Sequence, residues 1–200
     1  SLMTRVVLAT GNSGKLREMR SILAATDWEV VPQSEFRCPE AIEDGLSFVE
    51  NAIKKARHAC AYTGLGAIAD DSGLEVDALE GAPGIYSARY AGEGASDEAN
   101  LQKLLRAMQA VPEARRSARF RCVMVYMRHE NDPAPRICDG CWEVRIGVHK
   151  QGENGFGYDP VFDVPTHGCS AAELSAEQKN AISHRGQALR ALAEKLGSGH

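Results

Sequence analysis

Arg5-Val6-Val7-Leu8-Ala9 is a short β-branched apolar run that breaks into Thr10-Gly11-Asn12-Ser13-Gly14-Lys15, and a helical pattern starts at once. Such a run bounded by glycine reads as a buried strand. Leu16, Met19, Ile22 and Leu23 then fall on one helical face, with Ser13 placed as the cap. A chain that opens strand, glycine loop, helix must lay helices against a sheet to bury both apolar surfaces.

The alternation continues. Glu29–Pro32 reads as a second strand. Phe48, Val49, Ala52, Ile53, Ala56, Ala59 and Cys60 make one apolar stripe across Ser47–Tyr62, and Ser47 and Glu50 have the spacing of a capping box. Gly64 and Gly66 end that helix, and Leu65–Ala69 forms a strand that stops at Asp70-Asp71-Ser72-Gly73. The Gly- and Ala-rich residues 81–94 read as a loop, and Asp97–Ala110 as an amphipathic helix stopped by Pro112. Ala118–Arg128 and Arg136–Val148 read as long strands joined by the polar turn Glu130–Pro135. Gly152–Tyr158 is a Gly-rich loop, and Ser183–Leu196 is the last helix, capped by Ser183. The class is α/β, or α+β, with a mixed sheet flanked by helices.

At 200 residues the chain is expected to form one domain over 3–196. Ser1-Leu2 ahead of Met3, and Gly197–His200, read as residues foreign to the natural chain. The 44% hydrophobic and 25% charged composition argues against disorder. A net charge of −4 argues against nucleic acid or an anionic membrane as a partner, although a local Lys and Arg cluster can still hold a small anion. No apolar run approaches the ~18 residues of a membrane helix. No secretory signal precedes the first strand, so a cytoplasmic setting is expected. Cys60 and Cys122 fall in apolar patterns and read as core residues. Cys138-Asp139-Gly140-Cys141 is a CxxC without a second CxxC or paired His to complete a zinc site.

Four segments can carry chemistry. In Thr10–Lys15, a glycine turn before a helix aims backbone N–H groups at one point, and Lys15 adds a full charge, which suits a phosphate. It is not a Walker A loop, because its glycines are too close and Leu16 follows the lysine. An ordinary strand-to-helix turn would account for it equally well. Asp70-Asp71 puts two carboxylates together at a strand end, and Asp71 suits Mg2+ coordination or water activation; a capped turn with solvated acids is the alternative. Glu40, Glu43 or Asp44 could complete a metal site, or could simply favour the following helix N-terminus. Lys54 and Lys55 are not distinguished by spacing.

Gly155-Phe156-Gly157-Tyr158-Asp159-Pro160 could stack on a planar base, or its aromatics could cap the core. Lys179, His184 and Arg185 gather positive charge around the start of the last helix, where an anion would be welcome. Together these groups suit a nucleoside triphosphate.

The segments LATGNSGKLREM (8–19), GLSFVENAIKKARHA (45–59), AIADDSGLEVDALEGAPGIYSARYAGE (67–93), NGFGYDPVF (154–162), AAEL (171–174) and EQKNAISHRGQAL (177–189) occur in this order. In this arrangement the chain resembles the noncanonical purine nucleoside triphosphate pyrophosphatases (inosine/xanthosine triphosphate pyrophosphatases) in their bacterial form. The resemblance runs from Val6 to about Leu196. It implies Mg2+-dependent hydrolysis of ITP, dITP and XTP to the monophosphate and pyrophosphate, clearing deaminated purines from the nucleotide pool. It also implies an elongated mixed sheet flanked by helices, two lobes with a central cleft, and a homodimer.

By matching position, Thr10, Gly11, Asn12, Ser13, Gly14 and Lys15 would hold the triphosphate. Glu43 and Asp71 would bind the metal, with Asp71 as general base, Asp70 beside it and Ser72 on the substrate. Phe156, Gly157, Tyr158 and Asp159 would line the base pocket with Lys179, His184 and Arg185. A donor facing the 6-keto group would reject adenine, which presents a donor there. One segment departs from the family: Val144 stands where a glycine is usual, and Gly147–Lys150 lacks a proline, which bears on the local turn and the dimer surface. Two other readings are a pyrophosphatase for other modified nucleotides and a non-catalytic nucleotide-binding module. The second predicts loss of acids that are in fact present.

Overall fold

A computed structural model describes residues Thr4–Gly197. Ser1, Leu2 and Ser198–His200, which include most of the residues read as foreign, lie outside the described residues, whereas Gly197 ends the last helix. The strands are β1 (Thr4–Leu8), β2 (Trp28–Pro32), β3 (Gly66–Val76), β4 (Ser117–Met127), β5 (Arg136–Ile146), β6 (Phe162–Val164) and β7 (Cys169–Ser170). The helices are α1 (Ser13–Leu23), α2 (Phe48–Thr63), α3 (Asp97–Ala107), α4 (Ala176–Ile182) and α5 (His184–Gly197). The sheet order is β2-β1-β3-β4-β5-β6-β7; β1 is parallel to β2 and β3, while β6 is antiparallel to β5 and β7. The mixed α/β class is therefore as the sequence implies.

The chain divides into two compact units. The first contains the residues up to Asp71, Cys122–Gly140 and those from His184 onward. Side chains alternate along a strand, so β1 and β3 bury two sets of residues. Val6, Leu8 and Ile68 pack with Met19 and Leu23 of α1 and Ala188, Leu189 and Leu192 of α5. Val7, Ala9, Ala67 and Ala69 pack instead with Ala52, Ala56, Ala59 and Cys60 of α2. The small residues on this second side let helix and strands approach closely.

The second unit contains Ser72–Arg121 and Cys141–Ser183. Leu74 and Val76 pack there with Leu101 and Leu104 of α3, with Met108 at its C-cap, and with Phe120, Trp142 and Phe162. Phe120 meets Phe162 edge-on, with ring centroids 4.1 Å apart. Val144 is a buried member of this core inside an uninterrupted β5. The buried Arg116 guanidinium donates to the carbonyls of Met108, Val111, Ile146 and Gly147, satisfying the C-terminal end of α3 and the end of β5 together.

Several local expectations change. Asn12, not Ser13, caps α1: its Oδ1 accepts from the Lys15 N–H at 3.0 Å. The strand expected to stop at Asp70 runs on to Val76, because Leu74 and Val76 are apolar on alternate positions and extend the pattern beyond the acids. Residues 84–89 of the expected loop form a 3-10 helix, and α3 ends at Ala107 rather than Ala110. The short α4, β6 and β7 were not foreseen, although Ser175 and Gln178 form a reciprocal capping box. Cys138 is buried and Cys141 exposed, since an odd spacing on one strand puts the two on opposite faces.

Candidate active site

The first unit gathers the Thr10–Lys15 loop, the acid pair and one lysine of α2. The β1 ladder places Leu8 opposite Ile68, and the Ala9 N–H donates to the Ile68 carbonyl at 2.8 Å. The chain then leaves β1 as Thr10–Gly14 while β3 continues, so Asp70 and Asp71 stand beside this loop. Asn12 is fixed from both sides: its N–H donates to Thr10 Oγ1 at 3.1 Å and its side chain caps α1. The first turn of α1 directs its remaining N–H groups outward, as a helix N-terminus must. A Cβ on Gly11 would overlap the Glu40 carboxylate, so a larger residue there would have to turn that flexible side chain aside.

Alternation along β3 separates the two acids. Asp70 belongs to the α1/α5 side. Its Oδ2 lies 3.3 Å from Lys15 Nζ and 3.4 Å from Arg185 Nε, and the buried Cys122 thiol is 3.8 Å away. Burial would push Asp70 up, but Lys15, Arg185 and Lys55 override it and hold the carboxyl well below the usual range. Asp70 Oδ1 is buried with no hydrogen-bond partner among the described residues. Arg185 is almost fully buried and also pairs with Glu18 of α1, so its charge is matched inside the unit.

Asp71 belongs to the α2 side. Its Oδ1 lies 3.7 Å from Lys55 Nζ, which is 2.8 Å from Glu43 Oε1. Asn51 Nδ2 donates to Asp71 Oδ2 at 3.3 Å. Burial pushes Asp71 up to about 6 against the pull of Lys55 and Lys15, and Asp70 and Glu43 add to the rise. For Lys55, burial pulls the pKa down, but Asp70, Asp71 and Glu43 together hold it above its ordinary value. Lys55 thus remains a cation where two carboxylates converge.

Glu43 lies in the irregular segment 38–47, which α2 pins down with one polar face. Glu50 accepts from the Leu46 N–H, Asn51 binds Gly45, Lys54 pairs with Asp44, Lys55 pairs with Glu43, and His58 Nε2 meets the Pro39 carbonyl. Positions 50, 51, 54, 55 and 58 share a face at helical spacing. Glu50 therefore reaches Leu46 rather than closing its capping box on Ser47, whose hydroxyl still accepts from the Glu50 N–H.

Among the described residues no three His, Cys, Asp or Glu side chains form a metal cage. The donors nevertheless fit Mg2+, which prefers hard oxygens and is commonly held by one or two carboxylates plus substrate phosphates. Glu43 and Asp71 already share one cation, Lys55.

The second unit holds the aromatic loop. Asp159 Oδ2 accepts from the Phe156 N–H at 3.0 Å and lies 2.6 Å from Lys179 Nζ. Lys179 Nζ sits 4.6 Å from the centroid of the Phe156 ring, and both Lys179 and Asp159 are buried. Gly155 and Gly157 have φ of 72° and 62°, which glycine adopts without strain. The Gly157 N–H donates to Asp97 Oδ2 at 3.3 Å. Tyr158 turns into the core and its hydroxyl donates to the Ser87 carbonyl at 2.7 Å. Lys179 is in α4, so it is not part of the last helix start as the spacing suggested. His184 and Arg185 open α5 in the first unit, and Ser72 follows Asp71 on β3, half-buried.

The residues missed by sequence reasoning are Lys55, Asn51 and Glu18. Asn51 had a signal: it is a lone carboxamide within the Ala-rich buried arc of α2. Lys55 had none that separated it from Lys54.

Comparison with known proteins places these residues in a family. Residues 6–195 match the Ham1 family. A dITP/XTP pyrophosphatase of Vibrio parahaemolyticus is 61% identical over 98% of each chain. One of Thioalkalivibrio sulfidiphilus is 60% identical over 96% of this chain and 98% of its own. The structure of a HAM1 protein from Coxiella burnetii superposes with a TM-score of 0.90 at 53% identity, covering 98% of this chain and all of its own. The family match over residues 6–195 and relatives at about 60% identity over nearly the whole chain establish that the chain belongs to the Ham1 family.

Proposed function

We propose that this protein hydrolyses noncanonical purine nucleoside triphosphates, dITP, ITP and XTP, to the monophosphate and pyrophosphate. The observation that carries the reading is the convergence of Lys15 on Asp70 and of Lys55 on both Glu43 and Asp71. Two lysines with matched carboxylates, beside a glycine loop and a helix N-terminus, can bind a polyphosphate and neutralise its leaving group. The names of relatives at about 60% identity support the same substrate class.

In this reading Thr10, Gly11, Asn12, Ser13, Gly14 and Lys15 hold the triphosphate. Glu43 and Asp71 hold Mg2+, which when bound supplies charge neutralisation on the phosphate oxygens. Asp71 takes the proton from the attacking water as its oxygen bonds to the α-phosphorus. The bond from that phosphorus to the bridging oxygen breaks, and pyrophosphate leaves with the electron pair. Lys15 and Lys55 offset the charge that builds on it. Ser72 contacts the substrate. By position Phe156, Gly157, Tyr158, Asp159, Lys179, His184 and Arg185 are the residues proposed for the base, with the Tyr158 and Arg185 side chains holding their own loop and helix rather than donating to it. A homodimer in the cytoplasm, where nucleotide pools lie, completes the reading.

The test is pyrophosphate release with Mg2+ from dITP, ITP, XTP, GTP and ATP, with an EDTA control. Metal-dependent release from the first three, with little from GTP and ATP, is expected. Release from all five would keep the chemistry and remove the selectivity. Release from modified pyrimidine nucleotides alone would change the substrate class. Folded protein inactive on every nucleotide would leave a binding module.

A further inference from the structure

We propose that Asn51 is a positioning residue that fixes Glu43 relative to Asp71; the inference rests on the assignment of those two carboxylates to the metal. Asn51 is 1% exposed and lies on α2 among Ala52, Ala56 and Ala59. A carboxamide buried there is costly unless its polar atoms are bonded. Its Oδ1 accepts from the Gly45 N–H at 2.8 Å, while its Nδ2 donates to the Gly45 carbonyl at 3.5 Å and to Asp71 Oδ2 at 3.3 Å. The amide orientation is settled by these partners: the backbone N–H can face only the oxygen, and two acceptors can face only the NH2.

One side chain therefore grips two segments. Gly45 is two residues beyond Glu43 on a stretch with no helix or strand of its own, and Asp71 is on β3. Without Asn51, nothing among the described hydrogen bonds links Gly45 directly to Asp71. Gly45 is fitted to this grip as well. A Cβ there would come within 2.7 Å of Asn51 Oδ1 and 2.9 Å of Glu50 Cβ, which is closer than real contacts allow. Outer partners that orient metal-bearing carboxylates commonly change metal affinity 10–100-fold.

Mn2+ binding to substrate-free protein, followed by electron paramagnetic resonance, reads this without turnover. Asn51→Ala should weaken Mn2+ binding by about tenfold. Gly45→Ala, which leaves the carboxamide in place but forces the segment away, should do the same. Combining Asn51→Ala with Asp71→Asn should add little to the loss from Asp71→Asn alone, because once Asp71 is replaced Asn51 has no second metal-bearing carboxylate against which to set Glu43. In turnover, kcat should fall while the ratio of ITP to ATP hydrolysis stays constant, since base recognition is elsewhere. Unchanged Mn2+ affinity in Asn51→Ala, with Asp71→Asn impaired, would overturn the positioning role and leave the metal assignment standing. Wild-type affinity in both Asp71→Asn and Glu43→Gln would overturn the assignment itself. If Asn51→Ala does not fold, Gly45→Ala decides, and unchanged affinity there overturns the proposal.

Discussion

Asp70 and Asp71 are neighbours in sequence and serve opposite sides of one strand: Asp70 is locked between Lys15 and Arg185, while Asp71 faces Lys55 and Asn51 of α2. Two adjacent carboxylates would repel strongly if they shared a face. Alternation separates them, and each receives its own cation.

The two acids should therefore fail differently. Asp71→Asn should lower pyrophosphate release by at least about 100-fold without lowering the melting temperature, since it removes a buried charge that burial already disfavours. Asp70→Asn should leave Arg185 and Lys15 without their shared counter-charge and cost about 3 kcal/mol of stability. Thermal unfolding beside a turnover assay separates them. A wild-type melting temperature in Asp70→Asn would refute its structural role.

Gly140 is required by packing rather than by backbone conformation. A Cβ there would overlap the His184 carbonyl oxygen and press on Gln187 Cβ. Because the obstacle is backbone, relief means moving the first turn of α5, which carries Arg185. Gly140→Ala should cost about 1–3 kcal/mol and reduce activity together with stability. A variant with native stability would show that α5 shifts freely.

Arg116 binds four carbonyls and so resists replacement. Lysine has one nitrogen and cannot reach all of them. Arg116→Lys should destabilise by about 2–4 kcal/mol, since buried acceptors lose their donors, while turnover at low temperature stays near native. Denaturant unfolding gives the first quantity. A loss below half a kcal/mol would mean water replaces the guanidinium at little cost.

Asp132 predicts an acid limit. Its carboxylate accepts from the Arg128 side chain and from the Arg128 and Ala134 N–H groups. Those bonds, led by the Arg128 guanidinium, hold its pKa well below the usual range. A carboxyl lowered by folding contributes stability that is fully present above its unfolded pKa of about 3.9 and is lost as pH falls towards the folded value. Asp132→Asn should therefore be less stable than wild type by about 1–2 kcal/mol at pH 7, and the gap should start to narrow below about pH 4 and keep narrowing as pH falls towards the folded value. A gap that persists unchanged into acid would mean that the hydrogen-bond geometry matters and the charge does not.

Much of this architecture is legible in the amino-acid order because its causes are local. The apolar run Arg5–Ala9, the glycine loop and the stripe of Phe48–Cys60 each announce a strand, a turn or a helix from neighbours a few residues apart. The order of segments also announces the family, and with it the residues to inspect. Local order misleads where a pattern is interrupted by function: β3 runs through Asp70-Asp71-Ser72-Gly73, since cations from elsewhere in the chain offset the acids that would otherwise end it. Short elements such as β6 and β7 leave too few residues for a period to show.

What only the tertiary structure decided is the division of labour among charges. Lys54 and Lys55 are indistinguishable in sequence, yet one pairs with Asp44 near the surface while the other is half-buried between Glu43 and Asp71. Arg185, grouped by position with base-reading residues, is tied inside its unit to Asp70 and Glu18. Helix and strand patterns follow from nearest neighbours along the chain. Which carboxylate meets which cation depends on distances between residues tens of positions apart, and on how much water burial removes from each.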